Sequence, residues 1–427
     1  MTPLAIHGGT PVIPGNLHRP YPPVGAVEHD YVARALDSGV LWGPWAPRTR
    51  ELEERWAARI GVPHCVALAT GTAALHCAIA GCGAGIGDEV IVPAFSFIAT
   101  ATAVTMAGAI PRFVDVEEAT GNIDARQVEA ALTPRTRAIV AVHLHGLPAD
   151  LTALQAIASR AGVALIEDAS QAHGATIDRR EVGGIGDAGT FSLNATKTLA
   201  GPEGGLLTTS STAIYNEVAR MRVFGTEWRE GQRMIRDADS LGYNYRIHEL
   251  TAAFTLARLT AFDEETAIRK RNAERLRDGL AGLPGVQVPP ADGTRTHIYQ
   301  MFRVRLDPAA LGLDLDAESF RERVVAALQA EGAQWWIWER KSLPEYTLFQ
   351  TRNRHGRGFP WSVSPAHASL TYHPDEYPVA MATARDAIFT YGHYPQNPPE
   401  LIDLYVEAFQ KVWRNVESLV MTGVEQE

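Results

Sequence analysis

Apolar positions along the chain change rhythm repeatedly, and each change marks a predicted element. Residues 27–38 carry apolar side chains at helical spacing and stop at Gly39. Residues 51–60 repeat the pattern with Leu52, Trp56 and Ile60 on one face, which predicts a second helix. From residue 62 to about 210 the pattern alternates. Short unbroken apolar runs at 65–69, 89–93, 110–116, 138–142, 163–166 and 189–193 are separated by helix-spaced segments. Runs without a polar face predict strands buried on both sides, and the βαβ spacing calls for a parallel or mostly parallel sheet covered by helices. Residues 225–240 are polar and unperiodic and read as a mobile loop. A long helix follows at 249–280, closed by Leu283-Pro284-Gly285. That turn divides the chain into a large α/β domain, 1–285, and a smaller α+β domain, 286–427, with a strand at 299–306 and a helix at 317–331. The first 25 residues are rich in Pro and Gly and read as an irregular arm suited to packing on a partner subunit.

Composition narrows the classes of function. With 427 residues, 46% hydrophobic and 21% charged, the chain is an ordinary soluble globular protein. A formal net charge of -10 and the lack of any basic stripe exclude a polyanion partner such as nucleic acid. Cys65, Cys77 and Cys82 form no CxxC pair and fit reduced packing thiols. The N-terminus lacks a basic region with a long apolar core, and no uncharged run approaches the ~20 residues of a membrane span, so a cytoplasmic location is expected. No Cys/His/Asp spacing suggests a metal site, which leaves His143, His145 and His173 with structural or wall-lining roles.

Candidate chemistry centres on Lys197. It lies between the apolar run 189–193 and the glycine-rich turn Gly201-Pro202-Glu203-Gly204-Gly205, on a connection too short for a helix. A partly desolvated amine at the lip of a sheet can lose its proton and attack a carbonyl. The run ending Ile166-Glu167-Asp168 places an acid at a strand end, where a helix N-cap is the alternative role for Asp168. Thr70-Gly71-Thr72-Ala73 makes a small-residue strand-to-helix turn, able to receive an anion or to serve as a plain cap. A lysine, an acid and a phosphate-sized turn are the parts that a pyridoxal 5′-phosphate site needs. The aromatic segment Leu41-Trp42-Gly43-Pro44-Trp45 suits a core plug, an interface anchor or a substrate wall. The run Gln334-Trp335-Trp336-Ile337-Trp338 reads as buried, with one tryptophan available to the site.

Five ordered motifs then converge: Thr70-Gly-Thr-Ala-Ala-Leu, Gly87-Asp-Glu-Val-Ile-Val-Pro-Ala-Phe-Ser-Phe, Ile166-Glu-Asp-Ala-Ser-Gln-Ala-His-Gly, Phe191-Ser…Lys197…Glu203-Gly-Gly, and Gly242-Tyr-Asn-Tyr-Arg. In this order they resemble the DegT/DnrJ/EryC1/StrS aminotransferases, over roughly residues 5–280. The resemblance implies pyridoxal phosphate fold type I, the aspartate aminotransferase-like fold, and a homodimer with shared sites. It assigns Lys197 as the lysine joined covalently to the cofactor and Asp168 as the partner of its ring nitrogen. Gln171 falls at the position beside the 3-hydroxyl, and Phe97 at that of the stacking ring. Gly71, Thr72 and Ala73 fall on the phosphate turn and Ser192 at the position of a further phosphate donor, with Asn244 reaching the phosphate from the other subunit. Pro202 departs from the family, which usually has glycine there. The activity implied is transfer of an amino group from L-glutamate or L-glutamine to a keto-sugar or keto-cyclitol, in natural-product biosynthesis of the aminosugar or aminoglycoside kind. The alternatives are an aminohydroxybenzoate synthase-like or dehydratase reaction on the same cofactor, and a cofactor-binding regulator without turnover.

Overall fold

Strands with apolar residues on both faces must be covered on both sides, and the computed structural model builds that arrangement; it describes residues 3–15, 17–226, 237–291, 293–352 and 357–421. Seven strands form the main sheet: β1 (His64–Leu68), β2 (Glu89–Pro93), β3 (Ile110–Val114), β4 (Thr136–Val142), β5 (Ala164–Asp168), β8 (Ala188–Ser192) and β9 (Gly205–Thr209). Their spatial order is β1-β9-β8-β5-β4-β2-β3. All run the same way except β9, which pairs antiparallel with both β1 and β8. Side chains alternate between the two faces, as the pleat requires. In β4, Ala138, Val140 and Val142 join the core under helices Gly71–Gly81, Ala99–Met106 and Thr212–Arg222, while Ile139 and Ala141 face helices Ala125–Ala131 and Leu151–Ala161.

A hairpin of β6 (Thr176–Ile177) and β7 (Arg180–Glu181) joins β11 (Arg295–Thr296) in a small three-stranded sheet. The remaining strands, β10 (Val286–Gln287), β12 (Phe302–Leu306), β13 (Trp335–Trp336) and β14 (Ala387–Thr390), make an antiparallel sheet in the order β10-β12-β14-β13. Helices Ala317–Ala330 and Pro399–Arg414 cover it, together with Ala273, Leu276 and Leu280 of helix Glu249–Leu280.

Several elements differ from their sequence reading for local reasons. The strand expected from residue 299 starts at Phe302, because Tyr299 has φ +50° and its N–H turns back to His297 Nδ1 at 3.0 Å. Among the described residues of the N-terminal segment, Leu4 and Ile13 enter the core beneath the smaller sheet. Glu331 holds this segment by accepting the Ala5 and Val12 N–H groups at 2.8 and 3.1 Å. Segments beyond residue 340 also cross to the main sheet, where Leu343, Phe349, Trp361 and Tyr372 share its core. Within the loop expected at 225–240, residues 227–236 lie outside the described residues, and Thr226 bridges Ala238 beside them. No described helix is long and apolar enough to cross a membrane.

Candidate active site

Chain ends of parallel strands leave a crevice where ligands gather. Here β1, β2, β4, β5 and β8 all end at one cleft of about 370 Å³, with Lys197 among its walls. Gly71, Thr72, Phe97, Asp168, Gln171, Ser192 and Lys197 line it together, although as many as 126 positions separate the first from the last. Ala73 and Asn244 do not. Ala73 donates its N–H to Thr70 Oγ1 at 3.0 Å and is buried, while Asn244 is exposed and accepts from Arg246 Nε at 2.9 Å.

The helix Gly71–Gly81 starts where Thr70 caps it, so the amides of Gly71 and Thr72 are left at its positive end. A Cβ on residue 71 would fall 2.7 Å from Ser192 Cβ, so only glycine lets this turn approach the end of β8. The Thr72 and Ser192 hydroxyls and the Gly71 and Thr72 amides thereby share one corner of the cleft.

Asp168 ends β5 with 7% of its surface exposed, and accepts from Thr100 Oγ1 at 3.3 Å and from Ser170 N at 3.2 Å. No helix starts in residues 169–175, so Asp168 is not a helix N-cap. Gln171 Oε1 accepts the His145 N–H at 2.7 Å, which leaves the Nε2 hydrogens as that side chain's donors. Phe97 keeps 50% of its surface open, an uncovered ring on a cleft wall.

Lys197 sits in the loop between β8 and β9. Burial pushes its amine down to about 8, against the pull of Asp168 and Glu203, which favour the cation. Its backbone is held from two directions: Tyr21 donates to Lys197 O at 2.8 Å, and Tyr394 to Thr196 O at 2.8 Å. Gly201 N donates to Leu193 O and Leu193 N to Gly204 O, both at 2.8 Å, closing the loop. Pro202 stands exposed at its outer turn, and none of Gly201, Gly204 and Gly205 has a positive φ. The loop therefore needs no left-handed residue at 202, and proline is accommodated.

The three histidines divide. His143 Nδ1 accepts the Ala149 N–H at 3.1 Å, so its proton is on Nε2, which faces Glu167 at 3.2 Å. Burial alone would push Glu167 up, but His143 and the amides of Gly183 and Gly186 outweigh it and hold its carboxyl low. His173 is pushed to about 3 by burial between Trp56 and Phe191. His145 is also driven down by burial and packs its ring on Trp338. Among the described residues no cluster of His, Cys, Asp or Glu could hold a metal.

Sequence reasoning missed Ser96, Thr100, Asn194, Thr196, Met301 and Tyr391 as cleft residues. Ser96 and Thr100 carried a signal, being hydroxyls four apart at a helix start. Met301 and Tyr391 carried none, since they reach the cleft only through the smaller sheet. Of the tryptophan run, Trp335 is buried and Trp338 lines the cleft. Trp42 is 55% exposed, packed edge-on against Trp45 and under Arg246, away from the cleft.

A model of the DegT/DnrJ/EryC1/StrS aminotransferase family matches residues 24–376. The chain is 38% identical over 347 residues to the L-glutamine:2-deoxy-scyllo-inosose aminotransferase of Streptoalloteichus tenebrarius, covering 77% of this chain and 78% of that one. The crystal structure of DesI with its TDP-sugar product superposes with a TM-score of 0.81 at 30% identity, covering 98% of each chain. That of 3-amino-5-hydroxybenzoic acid synthase gives 0.82 at 27% identity, covering 95% of this chain and all of the other.

Proposed function

Because this chain belongs to the DegT/DnrJ/EryC1/StrS aminotransferase family, we propose that it carries the amino group of L-glutamine to a keto-cyclitol, with pyridoxal 5′-phosphate held beside Lys197. The observation that favours an uncharged acceptor is the cleft's charge. Lys197 is the one cation among the described lining residues, beside the acids Asp168 and Glu203. A nucleotide-linked sugar carries a diphosphate that calls for arginine or lysine, whereas a cyclitol does not.

The residues present fit the cofactor. The glycine turn against Ser192 leaves backbone donors at a helix N-terminus for the phosphate, with the Thr72 and Ser192 hydroxyls beside them. Phe97 offers an open face for the ring, Gln171 Nε2 a donor for its hydroxyl, and Asp168 a carboxylate to keep its nitrogen protonated. When bound, the cofactor supplies an electron sink for a carbanion next to nitrogen. Lys197 is suited to act as the base: with its amine near 8, Nζ can take a proton from the substrate carbon that bears the nitrogen and return it two atoms away, to the carbon on the other side of that nitrogen. Thr100 fixes Asp168 in place, and the Tyr21 and Tyr394 hydroxyls fix the loop from which Lys197 projects.

The reading includes a homodimer. Asn244 is exposed outside its own cleft, and the exposed side chains of Trp42, Phe224 and Leu241 are apolar surface of the kind that subunits bury.

The test is a two-stage reaction. Cofactor-loaded protein should take an amino group from L-glutamine in a single turnover, then aminate 2-deoxy-scyllo-inosose, detected by mass spectrometry. Amination of a nucleotide-linked keto-sugar but not of the cyclitol would overturn the acceptor assignment.

A further inference from the structure

Apart from Asn244, expected from the other subunit, the residues assigned to the cofactor come from the first 200 or so positions. The cleft has a second wall, made by Met301, Trp338 and Tyr391, to which no cofactor contact is assigned. These three belong to one apolar cluster with Ala387 and Phe389 of β14. Trp338 is half-buried there, and its ring is held edge-on by three others: His145 at 5.0 Å, Phe95 at 5.8 Å and Phe389 at 5.8 Å between centroids. A ring clamped on so many sides cannot turn aside, so its position in the cleft wall is set before any ligand arrives.

We propose that Trp338 is the specificity-determining platform for the acceptor, against which the carbon face of an uncharged six-membered ring ketone lies. This rests on the keto-cyclitol reading above and adds the side chain that distinguishes acceptor from donor. Neither Trp338 nor Met301 bears a charge to answer a carboxylate, so an open-chain amino acid gains little from this wall. A saturated polyol ring presents a face of C–H bonds between its equatorial hydroxyls, and such a face packs on an aromatic surface. Tyr391 adds a hydroxyl at the edge, placed by Gln300 Nε2 at 3.3 Å.

The two half-reactions separate this role from a structural one. Trp338→Leu keeps the apolar volume and removes the flat face, whereas Trp338→Phe keeps a smaller face. In the Leu variant, single-turnover amination of the bound cofactor by L-glutamine should stay near the parent rate. Reaction of the aminated enzyme with 2-deoxy-scyllo-inosose should fall roughly 30-fold or more, as when a central aromatic contact is lost. The Phe variant should recover most of it. If Leu leaves the acceptor step unchanged, or slows both steps equally, the platform is overturned. A parent enzyme that loads from glutamine but aminates no cyclic polyhydroxy ketone would instead defeat the proposed function, and the platform with it.

Discussion

At Lys197, burial decides the chemistry. A lysine in water near pH 7 is almost wholly protonated and a poor nucleophile, but this amine is pushed down to about 8. Cofactor-free protein should therefore capture pyridoxal phosphate at a rate that climbs with pH and levels off near 8, followed by the appearance of its yellow band. A climb continuing toward 10.5, the ordinary lysine value, would show that the amine is solvated. The same shift affects stability. Between about 8 and 10.5 the unfolded chain holds a proton that the folded chain has lost, so parent stability relative to Lys197→Met should rise with pH across that window and be lowest below it. Asp168 works on a different quantity. Asp168→Asn keeps the size and the Thr100 contact, but an amide cannot keep a ring nitrogen protonated. Cofactor should still bind, while conversion by glutamine slows by roughly 100- to 1,000-fold, the scale on which loss of one preorganised charge-stabilising group is felt. Near-parent conversion would mean that another acid serves the ring.

Among elements, the N-terminal segment shows how distant pieces are fastened. Glu331 at the end of helix Ala317–Ala330 is fully buried, accepts from the Ala5 and Val12 amides, and pairs with Lys411 Nζ at 2.9 Å. Glu331→Gln leaves the Lys411 ammonium buried without a countercharge, a loss of about 3–5 kcal/mol. Hydrogen exchange at Ala5 and Val12 should quicken far more than at main-sheet amides; unchanged protection there would show that apolar contacts of Leu4 and Ile13 suffice. No sequence pattern announces this tether, because Glu331 lies 326 and 319 positions from Ala5 and Val12 and 80 from Lys411. Unbroken apolar runs, by contrast, announced β1, β2, β4 and β5, and helix Glu249–Leu280 follows its expected span. The cleft divides in the same way. Residues that sit at or just past a strand end, such as Asp168 and Thr72, are legible because strand ends of a parallel sheet must converge. Trp338 was one of three tryptophans in a run, and which of them faces the cleft depends on how the smaller sheet docks.

For the whole molecule, the exposed apolar surface bears on how many copies make a site. Leu241 is 77% exposed and Phe224 47%, with the Arg246 guanidinium stacked over both the Trp42 and Phe224 rings. Apolar surface of this kind on a described face is costly in water unless another surface covers it. In a two-fold dimer the same patch meets itself, so whatever one copy contributes to its partner is returned in kind. Asn244 lies on this exposed stretch and outside its own cleft, so we expect it to complete the phosphate corner of the other copy. Lys197→Ala and Asn244→Ala should each be inactive alone. In a mixed dimer one cleft carries both changes and the other carries neither. Equal mixing makes half the dimers hybrid with one intact cleft of two, so activity should return to roughly a quarter of the parent level. Subunit exchange would be confirmed with differently tagged copies. No recovery among verified hybrids, or full activity in Asn244→Ala alone, would mean that each copy closes its own phosphate site.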